Sequence, residues 1–385
     1  MQLTSHVSRL WLAALIALAA ALAAPAASAY PEFRFSTGAA RCTMCHYSPD
    51  GGGLINDYGR FASEGQISRG GDGDFMHGLV DEPDWLATGA DFRVAATARD
   101  RDADPELALF PMQGDIYSNF FAGDFSLAIT LGVRAQVRES DSPLSRIVSR
   151  EHYAMWQPDA TGPYARVGRY FPTYGFRNVD HTSYMRRYLG LHTLEEKYAL
   201  GGGVVEEEWE VHANAYMPAP VLPLDFSSPS VVGREATGGA LYGEYRLGND
   251  GTVGAQSKID FTSEDARYLA GVLGSYYFDA PSLLANAQLD LGRQTFDFDP
   301  GPSRNQLAAR LGLNYFPIQG LMLGASVERY DDDLSVSVQR DALSLSAQFF
   351  PLAHWEVMGM ARFEAQGGEY GDASTLGLLM LHYYL

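Results

Sequence analysis

Cysteine is almost absent from this chain. Cys42 and Cys45 are the only two in 385 residues, so no network of disulfides staples the fold. Basic residues are scarce as well: 28 Lys and Arg stand against 47 Asp and Glu, for a net charge of −19. That balance argues against a nucleic-acid partner, because such binders carry basic patches. It supplies no polybasic attraction to anionic lipid either. Long apolar runs are missing beyond the first residues, where nothing approaches the ~20 apolar residues of a membrane helix. A helical membrane protein is therefore excluded. A membrane β-barrel is not, since its strands never look apolar overall.

The two cysteines that are present sit in Cys42-Thr43-Met44-Cys45-His46. A C-x-x-C-H string is the attachment site of a c-type haem. Two thiols at this spacing reach the two vinyl groups of one porphyrin, and the following His reaches the iron as proximal axial ligand. Two other chemistries compete for the spacing. A redox dithiol or local disulfide uses C-x-x-C alone. A zinc site needs further ligands, and no second Cys pair supplies them. Residues 1–29 read as a secretory signal: Arg9 in a short basic region, an apolar run from Leu10 to Ala24, and Ala27-Ser28-Ala29 before Tyr30. Covalent haem c is attached outside the cytoplasm, so signal and motif agree.

Residues 30–88 form one region, rich in Gly and Asp, with Gly51-Gly52-Gly53 and Gly70-Gly71-Asp72-Gly73-Asp74. The segment is too polar to build a large core, and a haem would supply an apolar centre. From residue 89 to 385 the pattern has period 2. In 125–138, Phe125, Leu127, Ile129, Leu131 and Val133 alternate with Ser126, Ala128, Thr130, Gly132 and Arg134. The stretches 253–261, 283–291, 307–315, 343–349 and 355–363 follow the same rule.

Short turns, at 123–124, 249–251, 279–281, 317–320 and 351–353, separate these runs. Longer connections alternate with them, at 139–146, 172–193, 218–232, 296–304 and 366–373. Short turns on one side and long loops on the other is the asymmetry of bacterial outer-membrane barrels. The high counts of Gly (40), Tyr (22) and Phe (20) suit such chains. Counting back from Leu385 gives about sixteen strands, the first near 91–99. An even number puts both ends of the barrel, and hence the 30–88 segment, on the periplasmic side. The expected fold class is all-β: a transmembrane antiparallel barrel preceded by a small irregular or helical cytochrome c-like segment. A soluble β-sandwich or propeller is the rival architecture.

The candidate site residues are Cys42 and Cys45 as haem thioethers and His46 as proximal ligand. Met76 is the first candidate for the sixth iron position and His77 the second; Met/His ligation raises the potential and bis-His lowers it. Arg60 is a candidate partner for a haem propionate. Glycines in Ser48–Arg60 allow backbone to lie close to a flat porphyrin. A second cluster, Arg166–Arg177 with His181, Arg186 and Arg187, concentrates basic and aromatic residues in an acidic chain. It reads either as a constriction loop folded into the lumen or as wall charges paired with Glu151, Asp180, Glu195 and Glu196. No Ser/His/Asp, H-E-x-x-H or phosphate-loop constellation appears, so no enzyme is expected. A peroxidase or gas-binding role would require an open sixth position.

Two stretches carry a resemblance. C-T-M-C-H-Y-S-P-D-G-G-G-L-I-N-D-Y-G-R, residues 42–60, looks like the single-haem leader of bacterial outer-membrane cytochrome–barrel fusions. The stretch 151–190, with E-H-Y-A-M-W-Q-P and Y-A-R-V-G-R-Y-F-P-T-Y-G-F-R, resembles the porin-type barrels found with multihaem cytochromes and, more distantly, phosphate-selective porins. The last strand, with Leu379, Leu381, Tyr383 and Leu385 alternating, resembles the C-terminal targeting signal of outer-membrane barrels, which usually ends in Phe. The resemblance implies one covalent haem c, electron transfer at the outer membrane, and periplasmic and extracellular electron-transfer proteins as partners. The rival expectation is a passive or redox-gated porin in which the haem segment is a plug or sensor.

Overall fold

The structure is a computed structural model. It describes residues 31–100, 106–133, 147–176, 178, 180–192, 195–218, 236–297, 302–367 and 373–385. The signal segment, Arg177, 134–146 and 219–235 lie outside the described residues.

Sixteen antiparallel strands close into one ring, each paired with its neighbours in sequence. The ring shuts where the first strand, β1 (Leu86–Asp100), meets the last, β16 (Ala373–Tyr384), with Asp91 opposite Tyr384. The alternation of the sequence becomes an inside-out cross-section. In β7 (Trp209–Met217), Trp209, Val211 and Met217 face outward and are exposed, while Glu210, His212, Asn214 and Tyr216 are buried within. In β9 (Gly251–Phe261), Val253 and Phe261 are exposed and Gln256, Lys258 and Asp260 buried. A soluble sandwich would bury the apolar face instead. An apolar belt this extensive is stable only where hydrocarbon covers it.

The short turns collect at one mouth and the long connections at the other. One connection departs from this: β9 returns into β10 (Asp265–Phe278) through Thr262–Glu264, a tight turn on the long-loop side. The chain enters β1, and leaves β16, at the short-turn mouth. Residues 31–85 therefore start there, and they fold back into the lumen. Phe33 packs on Phe316 and Phe350 at ring distances of 5.6 and 5.2 Å. Ser63 Oγ lies 2.9 Å from Tyr384 Oη. Gln319 Nε2 donates to the Gly65 and Ser68 carbonyls. Ala353 N donates to the Gly70 carbonyl at 2.7 Å, and Arg69 N to the Phe350 carbonyl at 3.1 Å. The segment is a plug fitted to this mouth.

Between β5 (Gly162–Tyr170) and β6 (Lys197–Val205) the longest loop also turns inward. Tyr174 Oη donates to Asp290 at 2.6 Å and Gly175 N to Gln256 at 2.6 Å. Tyr184 N donates to Glu328, and Tyr188 stacks on Tyr330 at 4.1 Å. These partners stand on β9, β11 (Leu283–Phe296) and β13 (Leu321–Asp331), so the loop crosses the lumen.

Candidate functional site

The motif forms one helical turn, Cys42–Cys45, after which His46 is extended and its N–H donates back to the Cys42 carbonyl at 3.0 Å. His46 then bridges to Ile55, and Asn56 N donates to the Cys45 carbonyl at 2.9 Å. A second helix, Asp57–Ala62, starts on the cap Asn56, whose Oδ1 accepts from Gly59 N at 3.1 Å. The helices touch at Gly59, where a Cβ would lie 2.5 Å from the Cys45 carbonyl oxygen. Between them, Gly51 has φ +76, and a Cβ there would lie 3.3 Å from Cys42 Sγ and 3.9 Å from His46 Cδ2. The glycine-rich turn keeps this space clear beside the motif.

Cys42, Cys45 and His46 line one cavity where the plug meets the in-folded loop and the barrel wall. Phe33, Ala39, Ala62 and Ile67 of the plug form apolar wall, and Pro172–Phe176 of the in-folded loop close the cavity from the barrel side. Arg34 and Arg41 bring cations to it, suited to carboxylates such as haem propionates. The residues present therefore fit a haem c.

The thiols do not resemble those of a dithiol oxidoreductase. Burial pushes Cys42 up to about 12, although Arg34 opposes it, and burial pushes Cys45 up to about 11. Both are protonated at neutral pH, whereas reactive C-x-x-C pairs hold depressed thiolates. No grouping of three or more His, Cys, Asp or Glu side chains able to hold a metal ion occurs among the described residues. That leaves the zinc reading without a ligand set.

Other expected positions lie elsewhere. Arg60 pairs with Glu82 at 2.5 Å and donates to the Thr88 carbonyl at 2.7 Å, tying the end of the plug to β1. It is not among the residues lining the cavity, because Glu82 and the β1 backbone claim its guanidinium. Met76 and His77 do not line the cavity either. Met76 is exposed, and His77 Nε2 lies 2.8 Å from Tyr383 Oη with its ring edge-on to His354 at 4.8 Å.

The basic-aromatic cluster divides. Pro172–Phe176 fold into the lumen as a constriction loop, while Arg169 and Arg150 pair with Glu196 as wall charges. Arg166 takes a partner not foreseen in either reading. Its Nη1 and Nη2 donate to Asp50 of the plug at 3.0 and 2.7 Å. Thr173 Oγ1 donates to the same carboxylate at 2.7 Å. Arg34 likewise donates to Glu244 of β8 (Thr237–Leu247) at 3.0 Å. Sequence reasoning missed Arg34, which carries no motif signal. It also missed Glu244, whose only mark was a place on the polar side of an alternating strand, and Glu210, which closes an acidic run that reads as a solvated turn but is buried in β7.

No protein-family model and no curated protein matches this sequence. Solved structures do. OprB of Pseudomonas putida superposes with a TM-score of 0.60 at 10% identity, over 78% of this chain and 94% of that one. OmpT of Vibrio cholerae gives 0.57 at 12% identity, over 80% and 100%. An anion-selective porin from Comamonas acidovorans gives 0.54 at 11%, over 78% and 99%. At such identities the likeness is one of fold: this is a porin-type sixteen-stranded barrel.

Proposed function

We propose that this protein is an outer-membrane redox protein whose barrel holds a single covalent haem c inside its periplasmic mouth. The observation that carries this reading is the convergence of Cys42, Cys45 and His46 on one largely apolar cavity between the plug, the in-folded loop and the barrel wall. When bound, the haem supplies a one-electron couple. The protein's residues do the rest. Cys42 and Cys45 anchor it through thioethers, and His46 offers an imidazole to the iron. Arg41 would be the cation at hand for its carboxylates, since Arg34 is held by Glu244, and Pro172–Phe176 would shield it from the lumen.

Placement inside the barrel bears on distance. The hydrocarbon core is ~30 Å thick, too far for a haem outside it to reach across. A haem in the mouth leaves only part of that span to a partner entering from the other side. Periplasmic and extracellular electron-transfer proteins are the partners this reading calls for.

A second reading has its own support. The Asp50–Arg166–Thr173 contact joins plug to constriction loop, as expected of a porin gated through its plug. Two measurements on the exported protein separate them. Haem staining with reversible reduction by a periplasmic donor, passed on to an external acceptor, supports electron transfer. Steady solute conductance through the haem-loaded protein, unchanged by reduction, would rule electron transfer out as the main role and leave a passive pore.

A further inference from the structure

We propose that none of the described side chains lining this cavity would fill the sixth position of a bound haem iron, leaving it open to a small uncharged ligand. The proposal rests on the haem reading above and concerns what faces the cofactor.

Apart from His46, the cavity lining includes no histidine, methionine or lysine among the described residues. The oxygen groups on the wall are committed to other partners. Tyr174 Oη donates to Asp290 at 2.6 Å, and Tyr242 Oη to Glu244 at 2.9 Å. Glu244 in turn receives Arg34, and Glu210 receives Arg246 and lies 3.3 Å from His212 Nε2. Asp50 accepts from Arg166 and Thr173. Withdrawing any of these oxygens to bind iron would leave a buried partner unsatisfied, at a cost of ~1–3 kcal/mol for a neutral group and more for a charged one.

The wall also indicates what enters. Arg34 is paired with Glu244, Glu210 with Arg246 and Asp50 with Arg166, and Phe33, Ile67, Pro172 and Phe176 supply apolar surface. An ion would meet a desolvation penalty there, with these buried counter-charges already committed to one another. A diatomic-sized neutral molecule would not.

The test uses the full exported protein, purified with haem attached, and carbon monoxide as probe. Visible and electron paramagnetic resonance spectra of the ferric form should show a high-spin iron. The ferrous form should bind carbon monoxide with a Soret shift. Met76→Ala and His77→Ala should leave both spectra unchanged. A low-spin, six-coordinate ferric spectrum with no response to carbon monoxide would overturn the proposal, as would conversion to high spin in either variant. A protein lacking covalent haem is a different failure: it defeats the electron-transfer reading and the proposal with it.

Discussion

Asp50 and Arg166 stand 116 positions apart in the chain and meet as a two-pronged ion pair in the barrel lumen, with N–O distances of 2.7 and 3.0 Å. Their side chains are 3% and 1% exposed. One belongs to the glycine-rich turn behind the haem motif and the other to the inward face of β5. The pair therefore fastens the plug directly to the wall.

Breaking this pair from one side should loosen the plug without dissolving the barrel. Asp50→Ala leaves Arg166 buried and unpaired, which costs about 3–5 kcal/mol in such settings. Planar-bilayer recordings of the variant should show conductance bursts that the parent protein lacks, while heat-modifiable migration in gels is retained. A variant as silent as the parent would mean that other contacts hold the plug.

Cys42→Ala together with Cys45→Ala should abolish haem staining on denaturing gels from cells competent in c-type maturation. Either single change should leave one thioether and a weaker stained band. Undiminished staining in the double variant would place the cofactor elsewhere.

Two glycines with nearly equal φ values form a matched test. A Cβ on Gly51 (φ +76) would meet Cys42 Sγ and His46, whereas one on Gly38 (φ +73) would meet nothing within 4 Å. Gly38→Ala should cost only the left-handed backbone strain, ~1–2 kcal/mol. Gly51→Ala adds the intrusion on the motif, so covalent haem per protein should fall several-fold for Gly51→Ala and little for Gly38→Ala. Equal haem occupancy in the two variants would falsify the close-approach argument.

His354, in the turn before β15 (Trp355–Gln366), is fully buried beside His77, and burial first, then the neighbouring imidazole, pulls its pKa from 6.5 down to about 4. A depressed histidine stabilises the docked form in its neutral state. That contribution is complete above pH 6.5 and declines as pH falls toward 4, because the released form takes up the proton first. Limited proteolysis within 69–80 should therefore accelerate between about pH 6.5 and 4. His354→Gln should flatten the dependence, and a profile identical to the parent's would assign it to another group.

The barrel was legible because a period of 2 survives in every strand. Gln256, Lys258 and Asp260 alternate with Val253, Ala255 and Phe261 whether or not the partner strands are known. The motif was legible because its five residues are contiguous. The sequence could not reveal what surrounds it. Arg34 meets Glu244, and Asp50 meets Arg166, across separations with no periodic trace. Arg60 looked free for a propionate only because nothing local indicates that Glu82 would fold back onto it. Met76 and His77 were near enough in sequence to reach an iron, but Tyr383 and His354, contributed by the end of the chain, hold His77 elsewhere.

The loop Pro172–Phe176 also constrains the order of biogenesis. It comes from the barrel, yet it walls the cavity that holds both thiols. Attaching a porphyrin to Cys42 and Cys45 would require maturation enzymes to reach the motif, which in the finished ring lies behind this loop and the barrel wall. If the motif carries haem as proposed, attachment would have to precede closure of the ring around it. The plug lies at the start of the chain, and Tyr384, its partner through Ser63, lies at the very end. Without such a group, the chain would carry an apolar hollow into the last step of ring closure.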